Sequence, residues 1–80
     1  MVGSWQVRVE AVRPFTIHGD QYYELHVVRT DVPAEGKLFV VRVPQHAATA
    51  EPRAGQQLEL TFLMGQVTSA RPTEAEERSP

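Results

Sequence analysis

The chain has 80 residues, a formal net charge of −2 and no cysteine. We expect one small domain, because this length is too short for a catalytic barrel or a dinucleotide-binding fold. The absence of cysteine excludes disulfides and thiolate metal sites. A domain of this size buries only about 60% of the surface that its unfolded chain exposes. Its core is therefore modest, and a partner or self-association would add buried surface.

The first predicted strand is a strict alternation of apolar and polar residues. Its apolar members share one face and are Trp5, Val7, Val9 and Ala11. This spacing has the two-residue period of a half-buried strand and not the period of a helix. We expect Pro14 to end the strand, because proline has no N–H to donate to a neighbour. Phe15 and Ile17 are then expected to fold back from the following loop onto one end of the core.

Two further runs predict the second and third strands. The turn at residues 18–20, with its central Gly19, is typical of a hairpin and leads into residues 22–29. In that run the inward set is Tyr23, Leu25 and Val27, and the outward set is Tyr22, Glu24 and His26. Residues 37–43 are β-branched and aromatic, with apolar residues on both faces. They predict a central or covered strand and leave its register open.

A short helix and a closing hairpin follow. Residues 44–51 begin at Pro44, are rich in alanine and stop at Pro52, which predicts one or two helical turns. The fourth strand alternates Leu58, Leu60 and Phe62 with polar residues, and a turn at Gly65 leads into a fifth strand over residues 66–70. Residues 71–80 combine charge and proline with little apolar surface. We therefore expect a domain over residues 1–70 and a disordered tail over 71–80.

This order of elements predicts an all-β domain, a small five-stranded OB-like barrel with a short helix between strands 3 and 4. Over residues 4–70 the chain resembles the OB-fold superfamily in its element order, in a fourth strand preceded by Gly55 and in a final hairpin ending in residues 66–70. It is similar to the small bacterial proteins of that superfamily that bind single-stranded nucleic acid. An SH3-like barrel, which also has five short strands, is the structural alternative.

Alternation also predicts a ligand surface on the outward face of the sheet. The outward set includes Arg8, Tyr22, His26 and, depending on the register of the third strand, Arg42. The OB resemblance implies binding on strands 2 and 3 and the adjoining loop, which adds Phe15 and His18, and Lys37 extends the set. Aromatic stacking and phosphate-tracking cations are what hold single strands. We therefore expect a non-enzymatic module that binds single-stranded DNA or RNA.

Each candidate also has a structural interpretation. Tyr22 can pack on a cross-strand neighbour, Arg8 can pair with Glu24, and Trp5 can close one end of the core. The alternative function is a protein-interaction or assembly module, including a homo-oligomer. It would use the apolar third strand, because an exposed apolar edge marks an interface. The lack of a basic excess favours this alternative, since nucleic-acid binding usually brings one.

Signs of catalysis and of cofactors are missing from the sequence. The three histidines have no paired ligand spacing, no serine has a glycine-framed elbow, and no glycine-rich loop could cradle a phosphate. We expect no enzyme activity, no cofactor and no metal. The chain lacks a secretory start and an apolar run of about 20 residues. We expect a cytoplasmic protein with no membrane association.

Overall fold

A computed structural model describes residues 2–33 and 36–73. Its elements are the strands β1 (Val2–Ile17), β2 (Asp20–Arg29), β3 (Leu38–Pro44), β4 (Gln57–Leu63) and β5 (Gln66–Pro72), and a single 3-10 turn (Gln45–Ala47) between β3 and β4. The all-β class, the five strands and the short helical segment are confirmed. Arg71 and Pro72, predicted to begin the tail, belong to β5. Thr73, which also falls in the predicted tail, donates its N–H to the Gln57 carbonyl at 3.0 Å, and residues 74–80 lie outside the described residues.

The five strands form one antiparallel sheet in the order β3-β2-β1-β4-β5. Its two edges, β3 and β5, approach each other without forming a ladder in the described part of the chain. An isolated parallel bridge between Ala48 and Ala70 links them beyond the end of β3, and the Thr49 N–H donates to the Ala70 carbonyl at 3.2 Å. The sheet is therefore curled but open, and the predicted barrel is not closed.

A β-bulge divides β1 into two halves with opposite alternation. Pairing with β4 runs from Val2 to Arg8, pairing with β2 runs from Val7 to Ile17, and the register with β2 shifts between Val9 and Ala11. The extra residue, Glu10, reverses which positions point inward. Val7 and Val9 are buried before the bulge, whereas Val12 packs against the core after it. The prediction that Ala11 is interior is therefore wrong, and Ala11 is exposed.

The second half of β1 extends well beyond its predicted end. Pro14 lies inside the strand opposite Tyr23, and pairing continues to Ile17 opposite Asp20. Phe15 and Ile17 therefore do not fold back from a loop onto the core. Phe15 pairs with Tyr22 on the outer face of the sheet. The prediction that Pro14 ends the strand is wrong. A sheet tolerates a proline at a position where the neighbouring strand does not need its N–H as a donor.

The core lies between the inner faces of the curled sheet. It contains eleven buried apolar residues: Val7, Val9, Leu25, Val27, Val43, Ala47, Leu58, Leu60, Phe62, Val67 and Ala70. Alternation alone predicts eight of them, including Val67, which we expect on the inner face of the fifth strand. Tyr23, also predicted to point inward, is half-buried against this cluster. The core members that alternation did not predict are Val43, Ala47 and Ala70, and their placement depends on long-range strand pairing.

One end of the core is covered by Trp5. Its ring centroid lies 5.2 Å from that of Phe39 on β3 and 5.0 Å from that of Phe62 on β4. The guanidinium carbon of Arg29 lies 4.3 Å from the Trp5 ring centroid, in a cation–π contact. Arg29 is itself held by Asp31 at 2.9 Å. Trp5 thus packs between Phe39 of β3 and Phe62 of β4 and covers this end of the core, which agrees with its structural interpretation.

Two tight turns close the β1–β2 and β4–β5 hairpins. Their central residues are His18-Gly19 and Met64-Gly65, and all four have positive φ, at 51°, 83°, 54° and 83°. Two-residue turns with this pattern match the twist of the strands that they join. Glycine adopts such a φ freely, whereas a positive φ is sterically unfavourable for Met64. The Met64 side chain is 80% exposed.

Candidate functional site

Two adjacent rows of side chains cross the outer face of β1, β2 and β3. The first, named here the aromatic row, consists of Phe15, Tyr22 and Pro44. The second, the charged row, consists of Arg13, Glu24 and Arg42. Directly paired residues of an antiparallel ladder point to the same face, so each row lies across three strands. Successive rows on one face are separated by two residues along each strand, which is about 7 Å.

The aromatic row is organised by ring stacking. The Phe15 and Tyr22 ring centroids are 5.5 Å apart with an interplanar angle of 23°. Arg42 reaches diagonally across β2, and its guanidinium carbon lies 5.5 Å from the Phe15 ring centroid. Tyr22 is half-buried. The row therefore combines flat π surface with a cation held above it.

The charged row contains one ion pair and one arginine without a carboxylate partner. Arg13 approaches Glu24 Oε1 with both Nε, at 2.9 Å, and its terminal nitrogen, at 2.8 Å. The hydrogen bond from Arg13 is the main cause that lowers the pKa of the Glu24 carboxyl. Partial desolvation raises this pKa, but the nearby charges of Arg13, His26 and Arg42 lower it further, so the pKa lies below its ordinary value. Glu24 is therefore ionised at neutral pH. Among the described residues, no carboxylate forms an ion pair with Arg42.

A groove of about 580 Å³ runs along these rows between β3 and the β4–β5 hairpin. One wall includes Tyr22, Glu24 and Arg42, and the opposite wall includes Gly65 and Gln66 of the hairpin. The groove exists because β3 and β5 remain unpaired at this point. Sequence reasoning missed the hairpin wall. No signal in the sequence marks this wall, because residues 64 and 65 indicate only a turn between two strands.

No known protein family, curated protein or solved structure matched this chain. The assignment of the site therefore rests on geometry and chemistry.

Three of the predicted site residues come together at one end of the sheet. Phe15 contacts both Tyr22 and Arg42, although Phe15 lies on β1 and not in the predicted loop. His26 lies on the same face between Ala11 and Val40, one row beyond the charged row. His18 is exposed in the β1–β2 turn, past the aromatic row.

The other two predicted residues lie away from the groove. Arg8 pairs with Val28, and residues 22 and 28 of β2 are separated by about 20 Å along the strand. Arg8 is bound to Glu10 at 2.7 Å, so the alternative interpretation, in which Arg8 pairs with Glu24, is not observed. Arg13 takes that place because the bulge shifts the register. Lys37 precedes β3 at the same distant end, with its Nζ 5.3 Å from the Phe39 ring centroid.

Other kinds of site have no support in the described part of the chain. Residues 2–33 and 36–73 contain no group of three or more histidines and carboxylates that could hold a metal ion. Within the same ranges, no helix has the length and apolarity needed to span a bilayer. The groove beside the two rows is thus the best-developed candidate site.

Proposed function

We propose that this protein is a non-enzymatic module that binds single-stranded nucleic acid along the groove. The observation that carries the proposal is the contact of Arg42 with the aromatic row, in a groove that no side chain fills. Single strands are bound by aromatic platforms for their bases and cations for their phosphates, and this corner of the sheet offers both. We further propose a cytoplasmic location, which the absence of cysteine favours.

The aromatic row supports base stacking at Tyr22. Phe15 packs against the Tyr22 ring at 5.5 Å and limits its rotation, so little conformational entropy is lost when a base adds to the stack. Base–aromatic stacking contributes about 1 to 3 kcal/mol per base. A duplex keeps its bases stacked on one another, so this platform favours unpaired strands.

The pattern of ion pairs supports phosphate contact by Arg42. Arg8, Arg13 and Arg29 are each bound to a carboxylate, whereas Arg42 and Lys37 have no ion pair among the described residues. The number of free cations on this face is small. We therefore expect modest affinity and a shallow dependence on salt, since each neutralised phosphate contributes about 0.7 to the slope for single strands.

The architecture supports nucleic-acid binding by its similarity to OB domains. We propose that the domain is OB-like, because a long bent β1 pairs with both β2 and β4 and a helical turn separates β3 from β4. OB domains bind oligonucleotides on strands 2 and 3 and on the loops joining strands 1 to 2 and 4 to 5. The groove lies between those strands and the hairpin loop of β4 and β5. Fold alone does not decide function, so the site carries the argument.

Fluorescence anisotropy with a labelled oligonucleotide of about 12 nucleotides tests the proposal. We expect binding at low salt that weakens as salt rises. Arg42→Ala should flatten the logarithmic salt dependence by about one phosphate contact. Arg53→Ala is the matched control, because Arg53 is exposed in the segment between β3 and β4 and does not line the groove. No binding below about 100 μM at low salt would contradict the proposal, because phosphate contacts are strongest there.

The exposed side chains of β3 favour a second candidate function, self-association. Leu38 and Val40 are 50% and 56% exposed on the outer face of an edge strand. An unpaired apolar edge can pair with the same edge of a second copy. Sedimentation over a range of concentrations should then show a dimer that Val40→Lys dissociates, and a concentration-independent monomer would contradict this function.

A further inference from the structure

The groove contains a carboxylate, which is unexpected for a surface that binds a polyanion. Glu24 lines the groove within the charged row, and its side chain is 17% exposed. An uncompensated carboxylate here would repel phosphates. Arg13 lies on one side of it and Arg42 lies opposite it on β3, so the row as a whole is positively charged.

The hydrogen bonding of Glu24 leaves one oxygen available. Both Arg13 contacts are made to Oε1, and Oε2 accepts no hydrogen bond from the described residues. A free carboxylate oxygen is a strong acceptor for a ligand donor, because hydrogen bonds to charged groups are stronger than those between neutral groups. Oε2 is therefore an acceptor next to the aromatic row, where the proposed function places a stacked base.

We propose that Glu24 selects bases that carry an exocyclic amino group, so that cytosine is favoured over uracil. This inference rests on the proposed function and names the ligand chemistry that its groove would accept. Cytosine presents its N4 amino group as a donor, and carboxylates accept from that group. Uracil has a carbonyl oxygen at the same position, and two acceptors facing each other repel.

Arg13 is the positioning residue for this selection. Its two contacts with Oε1 orient the carboxylate and keep it ionised, as the lowered pKa of Glu24 indicates. Arg13 is mostly exposed, so it anchors Glu24 without occupying the groove, of which it is not a lining residue.

The test compares oligo-dC with oligo-dU of equal length, which share their backbone and differ at position 4 of the base and in the N3 proton. The wild-type protein should bind oligo-dC about tenfold more tightly. Glu24→Gln should bring the ratio of the two affinities close to one, because a glutamine amide both donates and accepts. Both affinities are measured by anisotropy at neutral pH, and thermal unfolding checks that the variant is folded.

Glu10→Gln is the matched control. It removes the same charge from the outer face of the sheet, but Glu10 is bound to Arg8 and does not line the groove. It should change both affinities equally and leave their ratio unchanged. Binding of both oligonucleotides with equal affinity, or a ratio that Glu24→Gln leaves unchanged, would overturn the inference and leave the proposed function standing. Failure of both oligonucleotides to bind would overturn both.

Discussion

Replacing Tyr22 with alanine is expected to weaken oligonucleotide binding by about 5- to 150-fold, because one stacked base contributes about 1 to 3 kcal/mol. Tyr22 lines the groove and stacks on Phe15, so its removal takes away the surface on which the base would rest. The cation–π contact of Arg42 is with Phe15, which this substitution leaves in place. Anisotropy titration at low salt measures the effect.

Tyr22→Phe separates stacking from the hydroxyl group. It keeps the ring and its contact with Phe15, and we expect binding within about twofold of wild type if stacking dominates. Thermal unfolding of both variants checks that the fold is retained. A folded Tyr22→Ala protein that binds as tightly as wild type would contradict the role of the aromatic row.

Replacing Leu60 with alanine is expected to lower the free energy of unfolding by about 2 to 5 kcal/mol. The Leu60 side chain is fully buried at the centre of β4, between β1 and β5. The loss combines the transfer of apolar atoms with the cavity that they leave. Because small domains are stable by only about 5 to 15 kcal/mol, this single change could unfold a large fraction of the protein. Urea denaturation followed by circular dichroism measures the loss.

Leu63→Ala is the control on the same strand. Leu63 is 51% exposed on the outer face, so the same substitution should cost less than about 1 kcal/mol. Equal destabilisation by the two changes would show that the inner and outer faces of β4 have been assigned wrongly.

Strict alternation made most of the core predictable from sequence. Leu25 and Val27 on β2, and Leu58, Leu60 and Phe62 on β4, are buried as their two-residue spacing indicates. These strands are regular over the alternating stretch, so local periodicity is enough to identify their inner face. Val43 escaped prediction because β3 is apolar on both faces, and only its pairing with β2 determines which residues point inward.

The bulge at Glu10 is the main reason that the orientation of side chains in the second half of β1 could not be predicted. A single unpaired residue reverses the inner and outer positions of everything that follows on the strand. Ala11 consequently moved outward, and Arg13 rather than Arg8 became the partner of Glu24. No local composition marks the bulge. The backbone bonds of Val9 with Gly55 and Gln56, which are far away in sequence, accompany it.

The candidate site was predictable on one wall only. Tyr22 and Arg42 follow from alternation and register, but the groove also needs the β4–β5 hairpin, which approaches through long-range curling of the sheet. The separation of Arg8 from Tyr22 follows from the same cause, since strand positions far apart in register lie far apart in space. The local sequence pattern indicates which face of the sheet a side chain occupies, whereas long-range strand pairing determines which side chains lie next to one another.

A titration of the ¹⁵N-labelled protein with oligo-dC, followed by backbone amide chemical shifts, tests whether the groove beside the aromatic and charged rows is the ligand site. We expect the largest shifts at Tyr22, Glu24, Arg42 and Gln66, with little change on the outer face of β4, for example at Thr61. Shifts confined to β4, or spread evenly over the surface, would contradict the claim.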